Sequence, residues 1–449
     1  MQEYEQIIQE QKYKIREHEK IPYNSSELWK KWKDGMPLPS QKEGLERWFF
    51  QWQRRNSIEI DNKDTNLSTE PNDSGYYASY VIGAQWLDDA CTTMPLVVTT
   101  KDGCNNIDFL QMFSTCFNSG IESEEFSKIY AIDIDKPKIE APELNSVLSP
   151  LIVVHFLSIV KEIVRHGLKK DYINREDNLN KVKGRIMIYR NERTNILKKR
   201  YDKIYCKFQE YSVNTPENRL LKKALLFSRQ ILQNTASSNS LQDLQQTVNN
   251  CLSIFSDVDD QIEVWEVKFI KRNKIFKEYN EAIRLAQMIL QRYDYNITNI
   301  TPAKNEYCPV FWIDMSLLYE HYVLGLLKEV YGDKIEYQAK GHTGYPDFIC
   351  HNPNIVMDTK YIPRFENSNI DVSIVRQLCG YARDRRLFVT APTENIPCIV
   401  IYPKEGESMN LNPFREKSIN ELIKENEYDK IWGFYRIAVP LPILSQETK

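Results

Sequence analysis

The sequence predicts an α+β protein of several domains: a small N-terminal α+β domain, a largely helical middle, and a C-terminal α/β domain built on a mixed sheet. A chain of 449 residues, of which 42% are hydrophobic, is long enough for two to three domains with apolar cores. Apolar residues recur at helical spacing through residues 216–296. From residue 301 onward, helix, strand, hairpin, helix and strand patterns follow one another, which is typical of α/β layers.

The N-terminal region, residues 1–160, is predicted to be the partner-binding part of the chain. Tryptophans at near-helical spacing in residues 26–33 and 45–52 predict two short amphipathic helices. These tryptophans either pack on the protein body or anchor a partner. Residues 56–75 are polar and predict a linker or a long exposed loop. Strands are predicted at residues 76–83 and 94–100, and helices at residues 109–117 and 149–164.

The middle region, residues 161–300, is predicted to be basic and largely helical. Residues 161–203 carry fourteen Lys or Arg against six Asp or Glu. This stretch is either a solvated basic face or a surface that contacts nucleic-acid phosphates. No base-reading motif accompanies it, so it predicts no sequence specificity. The candidate phosphate contacts are Lys181, Lys183, Arg185, Lys198, Lys199 and Arg200.

The third region, residues 301–449, contains the candidate active site. Two apolar runs, residues 348–350 and 355–357, flank a turn-forming His-Asn-Pro-Asn segment and predict a β-hairpin. Asp347 opens the first strand, while Asp358 and Lys360 close the second, so the hairpin brings them together. Two carboxylates and an ammonium at a sheet edge can hold Mg²⁺ and act on a phosphodiester. The alternative is a surface hairpin whose charges are solvated.

Two neighbouring helices carry further candidates. Apolar residues recur every three to four positions from residue 315 to 330, and Glu320 flanks the apolar face of that predicted helix. A helix is also predicted over residues 372–383, where Gln377 and Tyr381 lie one turn apart on one face.

The pattern of Pro346-Asp347 followed by Asp358-Thr-Lys360 resembles that of the PD-(D/E)xK nuclease superfamily. Three segments also resemble the McrC family, the nuclease subunits of McrBC-type, modification-dependent restriction systems. Residues 183–188 and 205–224 are similar to its "KGRI … E-x-S-x-x-T-x-x-N-R-x-L-K" signature. Residues 318–323 are similar to its "lFE-x-yv" motif, and Gln377 with Tyr381 to the "Q-x-x-x-Y" helix that follows the active site. The resemblance covers roughly residues 180 to 400.

The resemblance implies a C-terminal PD-(D/E)xK endonuclease domain that cuts double-stranded, possibly modified DNA with Mg²⁺. It implies Asp347 and Asp358 as metal ligands and Lys360 as the catalytic lysine. Glu320 would supply a further acid that lies beside the metal or orients a water. Gln377 and Tyr381 would orient Lys360 or contact a phosphate, and the alternative for Tyr381 is core packing. The family's partner is the McrB-like AAA+ GTPase hexamer, whose GTP hydrolysis McrC stimulates. This chain has no Gly-x-x-x-x-Gly-Lys-Ser/Thr loop, so GTP would enter only through that partner.

Two alternatives stay open: a catalytically silent assembly and GTPase-activating adaptor of the same complex, and a stand-alone nuclease of another pathway. Nine cysteines without a CxxC pair predict free thiols in a reducing compartment. The N-terminus has no apolar leader and no segment resembles a membrane span, so we expect a cytoplasmic protein without a membrane partner.

Overall fold

The structure, a computed structural model, divides the chain into two compact units. The first comprises residues 1–151 and 304–449, and the second comprises residues 152–303. It describes residues 13–21, 32, 35–38, 47–53, 75–91, 94–101, 104, 106–118, 128–133, 136–234, 240–263, 266–267, 277–292, 307–366, 369–388, 395–405 and 412–443. The first predicted tryptophan helix, residues 26–33, falls outside these ranges except for Trp32.

The strands are β1 (Tyr13–Arg16), β2 (Gly35–Pro37), β3 (Trp48–Gln53), β4 (Gly75–Ala78), β5 (Val81–Trp86), β6 (Pro95–Thr99), β7 (Tyr130–Asp133), β8 (Ile139–Glu140), β9 (Asp171–Leu179), β10 (Arg185–Ile186), β11 (Ile204–Ser212), β12 (Tyr307–Cys308), β13 (Val310–Asp314), β14 (Ile335–Tyr337), β15 (Phe348–Cys350), β16 (Ile355–Thr359), β17 (Cys398–Glu405) and β18 (Phe434–Leu441). The α-helices are α1 (Phe109–Asn118), α2 (Asn145–His166), α3 (Ile188–Asn191), α4 (Pro216–Asn234), α5 (Ser240–Ile254), α6 (Lys277–Arg292), α7 (Met315–Tyr331), α8 (Val372–Tyr381), α9 (Pro413–Glu416) and α10 (Ile419–Glu425).

The main N-terminal sheet of the first unit has the strand order β1-β6-β5-β13-β7. Strand β13, which lies more than 170 residues after β7 in the chain, pairs antiparallel with β5 on one side and with β7 on the other. All five residues of β13 are buried. This sheet therefore combines strands from the predicted N-terminal region, residues 1–160, with a strand from the predicted third region, residues 301–449.

The second large sheet of the first unit has the order β14-β15-β16-β17-β18. Strands β14, β15 and β16 pair antiparallel, whereas β16, β17 and β18 pair parallel. This is a mixed sheet, as the C-terminal pattern predicts. Every residue of β16 is buried, because the strand lies between β15 and β17 at the centre of the sheet. The α+β class and the mixed sheet are confirmed.

Helix α7 connects the two sheets of the first unit. Its N-cap is Asp314, whose carboxylate accepts a hydrogen bond from the Leu317 backbone amide at 3.0 Å. The same carboxylate forms an ion pair with Arg47 at 3.0 Å. At Gly325 the helix approaches α1 so closely that a Cβ would lie 2.5 Å from the Thr115 carbonyl oxygen. Glycine is therefore required there, and these contacts fix the helix that carries Glu320.

The second unit combines a three-stranded antiparallel sheet, β10-β11-β9, with helices α4, α5 and α6. The helices confirm the helical prediction for residues 216–296. The sheet differs from the prediction, because parts of the basic stretch form strands β9 and β10, which pair with β11. Strand β9 is almost wholly exposed and lacks apolar alternation, so it gives no strand signal. Cross-strand ion pairs such as Arg175 with Glu210 at 2.5 Å support it instead.

The predicted helix over residues 45–52 is wrong. Residues Trp48–Gln53 form β3, which pairs with β2 and β4. Phe49 and Phe50 are buried in the N-terminal core, and Trp52 stacks edge-on against Tyr76 with ring centroids 5.0 Å apart. Aromatic residues favour a pleated, half-buried surface, and this tertiary packing overrides the near-helical spacing of the tryptophans.

The described helices include none that is both long and apolar enough to span a bilayer. All nine cysteines are free thiols, as the absence of paired spacings predicts.

Asn218 is part of a buried hydrogen-bond network in the second unit. Its amide donates to the carbonyl oxygens of Lys169 at 2.9 Å and Val213 at 2.7 Å, and accepts from the Tyr279 hydroxyl at 2.9 Å. The Tyr279 oxygen in turn accepts from the Lys169 amide at 2.8 Å. The side chain of Asn218 is fully buried, so its place in the sequence signature is structural.

Replacement of Asn218 by alanine should destabilise the protein, because it leaves buried polar partners without hydrogen bonds. The expected loss in the free energy of unfolding is about 3 kcal/mol. Denaturant unfolding of Asn218→Ala, beside Asn250→Ala on the exposed face of α5, measures this. Equal stability of the two variants would contradict the structural role.

Candidate active site

The predicted hairpin is confirmed, and its register explains why two carboxylates meet. Strands β15 and β16 pair Phe348 with Met357, Ile349 with Val356 and Cys350 with Ile355. One step beyond the first pair, the same register sets Asp347 opposite Asp358. Directly opposed residues of antiparallel strands lie on the same face of the sheet. The eleven-residue separation in sequence is therefore closed by the hairpin.

Asp347 is held in place by the end of the neighbouring strand. Its Oδ2 accepts hydrogen bonds from the backbone amide and the hydroxyl of Thr359, each at 2.6 Å. Strand alternation alone would place the Thr359 side chain on the other face. The hydroxyl instead turns to Asp347 at the strand end, a contact that the sequence does not anticipate.

Lys360 forms an ion pair with the Oδ2 atom of Asp358. Asp358 is only 1% exposed, whereas a quarter of the Lys360 side chain is accessible. Desolvation by itself would lower the pKa of Lys360, but the negative charges of Asp358 and Asp347 outweigh it and raise the pKa. The lysine is therefore a cation at neutral pH.

Glu320 approaches the same site from helix α7. Its Oε1 accepts hydrogen bonds from the Tyr337 hydroxyl at 2.9 Å and from the side-chain amide of Gln338 at 3.0 Å. The pKa of Glu320 is raised, mainly by burial. These two hydrogen bonds oppose the shift, and the charges of Asp358 and Asp314 add to it. Its charge in turn raises the pKa of Asp347.

The site carries more negative than positive charge. Burial is the largest cause that raises the pKa of Asp347 well above its usual range, followed by the charges of Asp358 and Glu320. Burial also raises the pKa of Asp358, against the opposing effect of Lys360. Three carboxylates against one ammonium leave a formal charge of −2 when all are ionised. A divalent cation would neutralise it.

The chemistry of the donors fits Mg²⁺. Within the described ranges, no three His, Cys, Asp or Glu side chains come together as a closed metal cage. Mg²⁺ does not require such a cage, because it commonly binds through one or two carboxylates and completes its shell with waters and substrate phosphates. Asp347 and Asp358 would supply those two carboxylates, and their mutual repulsion would favour a cation between them.

Gln377 and Tyr381 contact each other: the Gln377 amide donates to the Tyr381 hydroxyl at 2.9 Å. Tyr381 is buried, and a Cβ at Gly344 would lie 3.0 Å from its hydroxyl oxygen. The backbone of Gly344 also has a φ of +138°. Glycine therefore lets the segment before Asp347 pack against the Tyr381 ring.

Lys101, which the sequence analysis does not single out, supports the residue next to Lys360. Its Nζ donates to the Tyr361 carbonyl oxygen at 2.6 Å and lies 3.5 Å from the centroid of the Tyr361 ring. It also lies 3.8 Å from a carboxylate oxygen of the buried Glu17. Burial raises the pKa of Glu17 to about 8. The contact links the N-terminal sheet to the end of β16, and no local motif signals it.

Asp384 is likewise not predicted from the sequence, because it stands between arginines in a run of charged residues that is typical of an exposed surface. The structure buries it, and its carboxylate accepts hydrogen bonds from the amides of His342 at 2.5 Å, Thr343 at 2.9 Å and Arg386 at 2.9 Å. Burial alone would raise the pKa of Asp384, but these hydrogen bonds and that of the His342 ring hold it below its usual range.

The candidate phosphate contacts of the basic stretch belong to the second unit. Lys183 lies 3.7 Å from Glu210, which also pairs with Arg175. Lys181, Arg185, Lys198, Lys199 and Arg200 are exposed, as either interpretation of the stretch requires.

The fold and the site define an α+β protein that carries an acidic, lysine-bearing site where the central strands of a mixed sheet end. A family model for the McrBC 5-methylcytosine restriction system component matches residues 126–383, more than half of the chain. The chain belongs to this family.

Two solved structures are similar to the chain at low identity. One is a refined half-complex from a tetradecameric assembly of Thermococcus gammatolerans McrB AAA+ hexamers with bound McrC. It has 13% identity and a TM-score of 0.33, over 96% of this chain and 94% of that chain. The other is the Thermococcus gammatolerans McrBC complex, with 10% identity and a TM-score of 0.29 over 70% and 87%. No curated protein matches the chain.

Asp347→Asn should stabilise the metal-free protein at pH 8 while removing its response to Mg²⁺. The amide oxygen can still accept the two bonds from Thr359, but one repelling charge is gone. A raised carboxyl pKa means that the folded state favours the protonated form. Its stabilising effect is present at low pH and is lost as the pH rises through the folded pKa, so the gain in melting temperature should be larger at pH 8 than at pH 5.

Thermal melts of wild type and Asp347→Asn, with and without Mg²⁺, measure this. Asp333→Asn, an exposed acid of the same unit, is the matched control. A Mg²⁺-dependent rise in melting temperature that persists in Asp347→Asn would contradict the assignment.

Proposed function

We propose that this chain is the DNA-cleaving subunit of a McrBC-type restriction complex, a Mg²⁺-dependent endodeoxyribonuclease of the PD-(D/E)xK type. The observation that carries the proposal is the placement of Asp347 opposite Asp358 at a strand end, with Lys360 paired to Asp358. Membership of a 5-methylcytosine restriction family supports double-stranded, modified DNA as the substrate.

Each residue has a distinct role in this proposal. Asp347 and Asp358 would hold the cation, which, when bound, withdraws electron density from the scissile phosphodiester. Lys360 is cationic because neighbouring carboxylates raise its pKa, so it stabilises the negative charge that develops on the phosphoryl oxygens. Glu320, held by Tyr337 and Gln338, orients water at the side of Asp358. Gln377 contacts a phosphate or fixes the Tyr381 hydroxyl.

The two alternatives make different demands on these residues. A silent adaptor has no need for Asp347, Asp358 and Lys360 together, and the electrostatic cost of burying two facing carboxylates favours a catalytic use. A stand-alone nuclease would work without a partner. This chain lacks a nucleotide-binding loop, so any GTP-dependent step requires a second protein.

We propose a McrB-like AAA+ GTPase hexamer as that second protein, because the chain belongs to a family of McrBC restriction system components. The basic stretch of the second unit, with Lys181, Lys183, Arg185, Lys198, Lys199 and Arg200, is proposed to contact the DNA backbone.

Asp358→Ala should reduce cleavage of 5-methylcytosine-containing plasmid in the presence of Mg²⁺, GTP and the partner GTPase. Loss of a group that holds the metal costs about 10²-fold or more in rate. The partner's GTP turnover should be unchanged, because the substitution lies in the proposed cutting site alone. Gel assays of cleavage and phosphate release measure both quantities in one reaction.

Asp333→Ala, which removes an exposed acid from the same unit, serves as the matched control and should cut like wild type. Wild-type cutting by a folded Asp358→Ala protein would refute the catalytic assignment. No cutting by the wild type under any condition, with intact stimulation of GTP turnover, would favour the adaptor.

The partner surface has two candidates. The sequence predicts the N-terminal region, residues 1–160, and of its described tryptophans Trp52 is the most exposed, at 45%. The structure adds an exposed apolar segment in the second unit, residues 188–201, where Ile188, Leu197 and Tyr201 are 78%, 71% and 77% exposed. Large exposed apolar side chains in one short segment are typical of an interaction surface. We favour the exposed apolar segment. Since it contains Lys198, Lys199 and Arg200, this choice limits the DNA contacts of the basic stretch to Lys181, Lys183 and Arg185.

Ile188→Ser combined with Leu197→Ser should weaken binding of the partner GTPase. Truncation of an apolar anchor costs about 2 kcal/mol, a thirtyfold change in the dissociation constant. Pull-down and GTP turnover measure the effect, with Trp52→Ser as the comparison. Loss of binding only in Trp52→Ser would return the contact to the N-terminal region. Truncation to residues 161–449 would be a poorer test, because it removes β5 and β7, which flank β13.

A further inference from the structure

Two turns of the first unit are joined by one buried carboxylate. Asp384 lies in the turn after α8 and binds the backbone amides of His342 and Thr343, together with the Thr343 hydroxyl at 3.0 Å and the His342 ring Nδ1 at 2.9 Å. The same carboxylate accepts a hydrogen bond from the backbone amide of Arg386. We call residues 340–344 and 383–386 together the paired turns.

The paired turns lead directly into the candidate active site. Asp347 follows the first turn by three residues. Its carbonyl oxygen accepts a hydrogen bond from the backbone amide of Gln338 at 2.9 Å. Gly341 donates to the Gly344 carbonyl oxygen at 2.9 Å, which closes the first turn on itself. At Gly344 the same turn lies against Tyr381, the last residue of α8. The position of the paired turns is therefore fixed relative to Asp347.

The paired turns carry an unbalanced positive charge. The side chains of Lys340, Arg383, Arg385 and Arg386 are exposed. In the described part of the chain, none of the four makes an ion pair with an acid. Asp384 is the one acid of the paired turns, and it is buried and bound to His342, whose ring is 69% exposed. In contrast, several cations of the β9–β11 sheet are neutralised across strands, such as Arg175 by Glu210.

We propose that the paired turns are a binding surface for the phosphate backbone of DNA beside the cutting site, with Lys340, Arg383, Arg385 and Arg386 as its contacts. The inference rests on the proposed nuclease function and adds a second DNA surface to it. Exposed cations on a fixed backbone beside a phosphodiester-cleaving site hold the strand in register without reading its bases. Asp384 is the positioning residue of this surface, because it arranges both turns through their backbone amides.

The test is the binding of the full-length protein to a short DNA duplex, measured by fluorescence anisotropy over a range of salt concentrations. Arg385→Gln combined with Arg386→Gln should weaken binding about tenfold and reduce the salt slope by about 2, because each lost phosphate contact removes about one released counterion. Lys340→Gln should reduce the slope by about 1. Lys334→Gln combined with Lys424→Gln removes the same charge from exposed positions of the same unit and should leave the slope unchanged.

Asp384→Asn separates arrangement from net charge. It removes a negative charge, so a purely electrostatic surface would bind DNA more tightly. The proposal predicts weaker binding, because the turns lose the carboxylate that orders them. Thermal melts check the fold, and if Asp384→Asn does not fold, the arginine and lysine variants decide the matter.

Cleavage by wild type and variants, with partner and Mg²⁺, separates the two levels of inference. Cutting by wild type, with paired-turn variants that bind DNA like the control, would overturn this surface and leave the nuclease intact. Unchanged DNA binding with reduced partner GTP turnover would assign the surface to a protein and overturn it equally. Absence of both DNA binding and cutting in the wild type would instead refute the proposed function.

Discussion

The structure depends on one electrostatic constraint: the register of β15 and β16 sets the carboxylates of Asp347 and Asp358 opposite each other in a buried part of the sheet. Burial and mutual repulsion raise the pKa of Asp347, and Lys360 offsets only part of the negative charge. A buried, uncompensated charge is unfavourable, and a protein normally avoids it or pairs it. Here the hairpin and the Thr359 bonds hold Asp347 in place, and the remaining charge suits a divalent cation.

Contacts from the surrounding fold hold this arrangement in place. Helix α7 starts at the Asp314 cap, passes α1 at Gly325 and presents Glu320 to the site. Lys101 reaches from the loop after β6 to the Tyr361 carbonyl oxygen, next to Lys360. Because β13 lies between β5 and β7, the N-terminal strands are part of the same folding unit as the site. They therefore support the site.

The sequence predicted the parts of the site that local signals encode. The His-Asn-Pro-Asn turn between two apolar runs was sufficient for the hairpin, and the hairpin was sufficient to bring Asp347 near Asp358. Helical spacing located α4, α6 and α7. Near-helical tryptophans misled the prediction at β3, because the burial of Phe49 and Phe50 against distant strands decided the conformation. Strand β9 gave no signal, because its charges are satisfied across strands rather than by a buried face.

Long-range supports were also out of reach of sequence reasoning. Asp384 stands in an arginine-rich segment, and only the fold shows that its carboxylate binds a turn 42 residues earlier in the chain. Lys101 and Tyr361 are 260 residues apart. Such contacts follow from the packing of whole elements, so no local spacing predicts them.

The most direct test of the account locates the cation itself. Fe²⁺ in place of Mg²⁺, with ascorbate and hydrogen peroxide, generates hydroxyl radicals that cut the polypeptide beside the bound ion, and mass spectrometry maps the cuts. The account predicts cuts next to Asp347 and within residues 358–360, suppressed by excess Mg²⁺ and absent in Asp347→Asn. Cuts confined to other segments, or cuts at these residues that Mg²⁺ does not suppress, would contradict it.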